Sequence, residues 1–224
     1  MIFVTGDTHI PIDIFKLNTK SFPLQKKLCK DDFLIICGDF GGVWRNDKEE
    51  RYWRKWLEEK RFTTLFVDGN HENFDLLSSF EEVDFHGGRA HRISNSIYHL
   101  MRGQIYSLDG KTIFTFGGAS SHDKQYRTEG VNWWRQELPT QEELQSAQKT
   151  LSDVNRRVDY LITHCAPTSV QHALAPAYPT DILTDFFEEL KGTVSYNGWF
   201  FGHYHRDRAV DERHRCLFEE IVQL

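Results

Sequence analysis

The stretch FFGHYHRD, residues 200–207, closes an apolar run with a glycine and then sets two histidines one residue apart, His203 and His205. Alone, it reads either as a pair of metal ligands or as a polar loop near the end of the chain. Four other places resemble it. Short apolar runs at Met1 to Val4, Phe33 to Cys37, Thr64 to Val67, Asp159 to Ile162 and Gly198 to Phe201 have the length and continuity of strands covered on both faces. They end in Gly6-Asp7-Thr8-His9, Gly38-Asp39, Gly69-Asn70-His71-Glu72, Thr163-His164 and Gly202-His203-Tyr204-His205. Each time an apolar strand stops and delivers Asp, Asn or His, with glycine just before in four of the five. In α/β sheets, ligands bind where strands end and loops converge, and glycine permits the sharp exit needed there. Asp7 and His9 are two apart, as are His203 and His205. In an extended backbone that spacing sends both side chains of each pair to one side.

Helical patterns lie between some of these runs. Residues Asp47 to Phe62 place Tyr52, Trp53, Trp56 and Leu57 on one stripe. Residues Thr140 to Val154 open with a capping box, Thr140 and Glu143, and carry Leu144, Ala147, Leu151 and Val154 at helical spacing. Residues Thr180 to Leu190 have Thr180 as N-cap candidate and Gly192 just past the end. From Arg92 to Gly118 the pattern becomes a meander of antiparallel strands, with Asp109-Gly110 as a hairpin turn. The expectation is a mixed α/β fold, in a single domain spanning residues 1–224.

Composition limits the function. The 224 residues are 39% hydrophobic and 27% charged, enough apolar material for a buried core. A net charge of −6 argues against a dedicated binder of long nucleic acid. No run approaches the roughly 18 apolar residues of a membrane span. The four cysteines form no C-x-x-C pair and are read as thiols of a reducing, cytoplasmic setting.

The candidate donors are Asp7, His9, Asp39, Asn70, His164, His203 and His205. A nitrogen and oxygen set without thiolate suits Mn, Fe, Zn or Co. Seven donors exceed one tetrahedral ion and suit two ions with a bridging carboxylate.

With these motifs the chain resembles the calcineurin-like metallophosphoesterase superfamily, from residue 6 to residue 205. The resemblance implies a four-layer α/β/β/α sandwich with two mixed β-sheets packed face to face. It also implies a division of ligands: Asp7, His9 and His205 for one metal, Asn70, His164 and His203 for the other, and Asp39 bridging both. The implied cofactors are two divalent ions, Mn first, and the implied reaction is attack of metal-bound hydroxide on phosphorus. His71 resembles the family's histidine that assists the departing alkoxide. The implied enzyme is a phosphoesterase leaning to phosphomonoesters, of small molecules or phosphoproteins. A phosphodiesterase acting on a nucleotide or cyclic nucleotide is the alternative. A non-catalytic binding module is the third reading, and the presence of every expected ligand position and of His71 argues against it. The Asp-Arg pair that protein Ser/Thr phosphatases of the family carry after the second motif is missing from GDFGGVWR, where Arg45 is the candidate stand-in. In TFGGASSHDKQYR, residues 115–127, His122 and Arg127 are candidates to hold non-transferred phosphate oxygens, the alternative being a solvated turn. Trp133 and Trp134 read as packing residues or as a stacking surface.

Overall fold

A computed structural model describes residues 1–224. Two mixed sheets face each other. The first contains β1 (Ile2–Thr5), β2 (Phe33–Ile36), β3 (Thr63–Phe66), β4 (Glu81–Phe85), β5 (Gly88–Ser94), β6 (Ile97–Leu100) and β13 (Ile221–Gln223), in the order β13-β1-β2-β3-β6-β5-β4. The second contains β7 (Gln104–Leu108), β8 (Lys111–Phe116), β9 (Tyr160–Thr163), β10 (Gly198–Phe201), β11 (Arg208–Ala209) and β12 (His214–Cys216), in the order β11-β12-β10-β9-β8-β7. β1, β2 and β3 are parallel neighbours, and so are β8, β9 and β10.

Strand alternation divides the core. Ile2, Val4, Phe33, Ile35 and Leu65 from the first sheet pack with Tyr106, Leu108, Ile113 and Ile162 from the second, forming the layer between them. The alternate residues Phe3, Leu34, Ile36 and Phe66 point the other way and meet Leu57 of α1 (Lys48–Glu58) and Leu77 of α2 (Phe74–Leu77). On the far side Phe114, Phe116, Leu161 and Trp199 meet α3 (Gln141–Asp153), α4 (Thr168–Leu174) and α5 (Ile182–Thr193) through Leu144, Leu151, Val170, Leu183 and Phe187. A strand with both faces buried is apolar at most positions, and here only threonines break the run (Thr5, Thr63, Thr64, Thr163), which is why these strands show no polar alternation. The result is the four-layer α/β/β/α sandwich with two mixed sheets.

Several local expectations hold, and others shift. α3 starts where its capping box indicates, with Thr140 and Glu143 forming the full box, while α1, expected to run from Asp47 to Phe62, is capped by the Asp47 side chain, which accepts from the Glu49 and Glu50 amides, and ends at Glu58. The Asp109-Gly110 turn joins β7 to β8, with φ of 47° and 73° at its two residues, as a type I′ turn requires. α5 is capped by Asp181 rather than Thr180, because the Asp181 carboxylate reaches the Leu183 and Thr184 amides. It also runs through Gly192 instead of stopping before it. Tyr52 leaves the α1 stripe and stands 61% exposed. The meander expected from Arg92 to Gly118 is divided between the sheets, β5 and β6 in one and β7 and β8 in the other.

Candidate metal centre

All five apolar runs end along one rim of the sandwich. β1, β2 and β3 deliver Asp7 with His9, Asp39, and Asn70 with His71, while β9 and β10 deliver His164 and the His203-His205 pair. Ligand atoms of Asp7, His9, Asp39 and His205 all lie within 4.8 Å of one another. His9 Nε2 stands 3.2 Å from Asp39 Oδ2, and His205 Nε2 stands 3.2 Å from Asp7 Oδ2. On the other side of Asp39, His164 Nε2 lies 3.4 Å from Oδ1 and 3.1 Å from Asn70 Oδ1. The His203 ring centroid is 5.0 Å from that of His164. Asp39 therefore turns one oxygen toward His9 and the other toward His164.

The backbone that achieves this is not extended. His9, Asp39, His203 and His205 all have positive φ, from 32° to 67°. The two-residue spacing brings each pair to the rim through left-handed turns rather than through the strand alternation expected from the sequence. The preceding glycines have a separate role. A Cβ at Gly69 would lie 1.9 Å from Asp39 Oδ1, one at Gly202 2.0 Å from Asp7 Oδ1, and one at Gly38 2.2 Å from His164 Nδ1. Each glycine makes room for a donor that belongs to a different strand end.

The electrostatics fit a divalent cation. Asp7 and Asp39 are 0% and 1% exposed, and burying two carboxylates is costly unless positive charge neutralises them. Burial pushes the Asp39 carboxyl upward, but His164, His9 and His71 outweigh it and hold the group far below the usual carboxylate range. Burial likewise acts upward on Asp7, and His205 and His164 outweigh it. Burial pulls His9 down, yet Asp39, Asp7 and Asp13 together raise it to about 9. The other ring nitrogens are committed to outer partners: His9 Nδ1 to Asp13 Oδ2 at 2.8 Å and His164 Nδ1 to the Cys37 carbonyl at 2.7 Å. Such outer bonds fix ring orientation and leave Nε2 facing the carboxylates, where it could serve as a ligand atom. A nitrogen and oxygen donor set of this kind, cradled by glycines, fits divalent ions such as Mn, Fe, Zn or Co.

Proton competition gives a testable sign. His9 titrates above its reference value of 6.5, so its proton stabilises the metal-free fold fully below about 6.5 and is lost as pH rises through about 9. A metal ion must displace that proton. The rise in Tm on adding Mn²⁺ is therefore expected to grow between pH 6.5 and 9. Thermal denaturation with and without the ion measures it; a shift that is flat or shrinks over this range contradicts the assignment of His9.

Around the cluster, several side chains matter that the sequence did not signal. Asp13 is four residues from His9, but nothing in the sequence marks it as a partner. Lys16, 5% exposed, donates to the Asp7 and Phe218 carbonyls, and the Phe218 ring stacks 5.0 Å from that of His205. Burial, with Asp39 nearby, pushes the Glu72 carboxyl well above its ordinary value. One Glu72 oxygen accepts from the Phe40 amide at 2.9 Å, and the other is buried without a hydrogen-bond partner. Tyr178 packs its ring 3.8 Å from that of His122, and both lie within 6 Å of the His203 ring.

His71 donates its amide to Asp39 Oδ1 at 2.8 Å, and its ring lies 5.9 Å from that of His9. Arg127 reaches the His71 ring, with Nη1 3.2 Å from Nδ1. Arg45 is exposed and lines a cavity of about 240 Å³ with Ile10, Pro11 and Trp44. Trp134 is 4% exposed, donates its indole N–H to Asp75 and packs edge-on against Trp44, so it serves as packing. A cavity of about 600 Å³ elsewhere contains none of the candidate ligands. It adjoins a cluster in which Asp68 is held by Arg102 and His99, and His99 by His91.

No helix is long and apolar enough to cross a membrane. A search of curated proteins returned no match. A family profile described as calcineurin-like phosphoesterase matches residues 1–207, which include every strand end described above. The chain belongs to the calcineurin-like phosphoesterases.

Proposed function

We propose that this protein hydrolyses phosphate esters with two divalent cations, Mn²⁺ first among them. The observation that carries this reading is the two-sided placement of Asp39, with His9 at one oxygen and His164 at the other. Asp7, His9 and His205 would hold one ion, and Asn70, His164 and His203 the second, with Asp39 shared. When bound, such a pair polarises the phosphoryl group and lowers the pKa of water so that a nucleophile exists near neutral pH. The chain's own contribution is orientation. Asp13 and the Cys37 carbonyl fix the His9 and His164 rings, the glycines hold the carboxylates in register, and the Asp39 oxygens are pinned by the His71 amide and His9.

His71 is the group assigned to the departing oxygen. His71→Ala is expected to leave metal content unchanged while slowing alkyl phosphate hydrolysis by about 10²–10⁴. Aryl phosphates with good leaving groups should lose least. An equal loss across leaving groups, read from kcat for a graded ester series, removes this role.

The substrate reading leans to phosphomonoesters of small molecules or phosphoproteins, since a net charge of −6 disfavours a long polyanion. Four free thiols accord with a cytoplasmic setting. The direct test pairs p-nitrophenyl phosphate with bis-p-nitrophenyl phosphate, each with Mn, Fe, Zn or Mg. Faster monoester cleavage is the expected result, and preference for the diester would move the assignment to a phosphodiesterase. Cleavage of neither overturns the proposal.

A further inference from the structure

The guanidinium of Arg127 is held mainly by the protein itself. A guanidinium carries five N–H donors and no acceptor. In this protein Nε lies 2.7 Å from one Asp123 oxygen and Nη2 donates to the other at 2.9 Å, a two-point grip from the same loop. Nη1 donates to the Asn132 carbonyl at 3.1 Å and faces His71 Nδ1 at 3.2 Å. The side chain is only 17% exposed. Three of its five donors are hydrogen-bonded, two within the loop of residues 123–132 and the third to a histidine 56 positions away in sequence, while Nε adds an ion-pair contact to Asp123.

The contact to His71 has a definite chemical consequence. Arg127 can only donate, so His71 Nδ1 must accept. The ring proton then belongs on Nε2. The His71 amide is separately tied to Asp39, so the residue is held from both its backbone and its outer ring edge.

We propose that Arg127 is a positioning residue: clamped by Asp123 and Asn132, it holds His71 in the neutral Nε2–H tautomer, so that Nε2–H donates a hydrogen bond to the charge building on the departing oxygen and keeps its proton. The catalytic part of this inference rests on the phosphoesterase reading; the tautomer does not. Arg127 thus acts through His71 instead of gripping non-transferred phosphate oxygens.

Two measurements test this separately. In Zn²⁺-loaded protein labelled with ¹⁵N-histidine, long-range ¹H–¹⁵N spectra should show His71 protonated at Nε2 and bare at Nδ1. In Arg127→Met, and in Asp123→Asn if the first variant folds poorly, the two nitrogen signals should move toward a mixture of tautomers. A His71 ring protonated at Nδ1 in the unaltered protein overturns the proposal, and so does a spectrum unmoved by both variants. The second measurement is kinetic. Arg127→Met should lower kcat for alkyl phosphates about tenfold, with KM within about twofold and metal content unchanged. Arg127→Met combined with His71→Ala should be no slower than His71→Ala alone, because two residues acting as a unit are not additive. A raised KM with kcat intact, or additive losses, would assign Arg127 to substrate binding. If no ester is cleaved by any variant, the phosphoesterase reading falls while the spectra still decide the tautomer.

Discussion

Asp39→Asn is expected to lower metal content and turnover together, with kcat for p-nitrophenyl phosphate falling about 10³-fold or more. The substitution preserves shape and removes one charge at a position only 1% exposed. Asp39 Oδ1 accepts the His71 amide and faces His164, while Oδ2 faces His9. An amide must present an NH₂ group to one of these sides, placing donor against donor and losing one half of the bridge. Loss of several kcal/mol of transition-state stabilisation corresponds to at least about three powers of ten in rate. Elemental analysis of the purified variant checks the metal, and steady-state kinetics the rate. Because Asp39 also contributes to the raised pKa of His9, the variant's His9 should titrate closer to its reference value. Unchanged turnover in Asp39→Asn would remove Asp39 from the centre.

Gly69→Ala should be nearly as damaging, although it deletes nothing. The added Cβ would sit 1.9 Å from Asp39 Oδ1 and 2.4 Å from the Asp39 amide nitrogen. Backbone atoms cannot step aside as the end of a flexible side chain can. Overpacking of this kind costs about 1–3 kcal/mol, which for a chain of this size lowers Tm by roughly 2–12 °C. The activity loss should be greater in proportion, since a displacement of about 1 Å near the chemistry can cost about 10²-fold. Gly192→Ala is the matched control. Gly192 lies within α5 and a Cβ there meets nothing within 4 Å. Alanine is the better helix former by roughly 0.5–1 kcal/mol, so this variant should be as stable as the parent or more so, with unchanged kcat. Equal behaviour of the two variants in thermal denaturation would show that the close approach at Gly69 does not constrain the site.

The parts of the structure legible in the sequence share a physical origin. Strands buried on both faces are short and mostly apolar, so the five runs stood out, and four of their five ends place glycine before a donor. The helix start at Thr140 was legible because capping is a local side-chain-to-backbone bond. β4 escaped notice because its residues are mostly exposed and carry no apolar pattern. Asp181 displaced Thr180 as a cap because adjacent residues compete for the same amides, and only the chain's final path decides between them.

Sequence alone determined that strands end in Asp, Asn and His at five separated places, and that these form a nitrogen and oxygen donor set. It could not assign the strands to two sheets, because a run buried on both faces carries no mark of which neighbour covers which face. It also could not show the left-handed turns at His9, His203 and His205, the room that Gly69 and Gly202 leave for carboxylates from other strands, or the contact from Arg127 to His71. Those relations join residues far apart in the chain, and they exist only once the two sheets have packed and brought their strand ends to one rim.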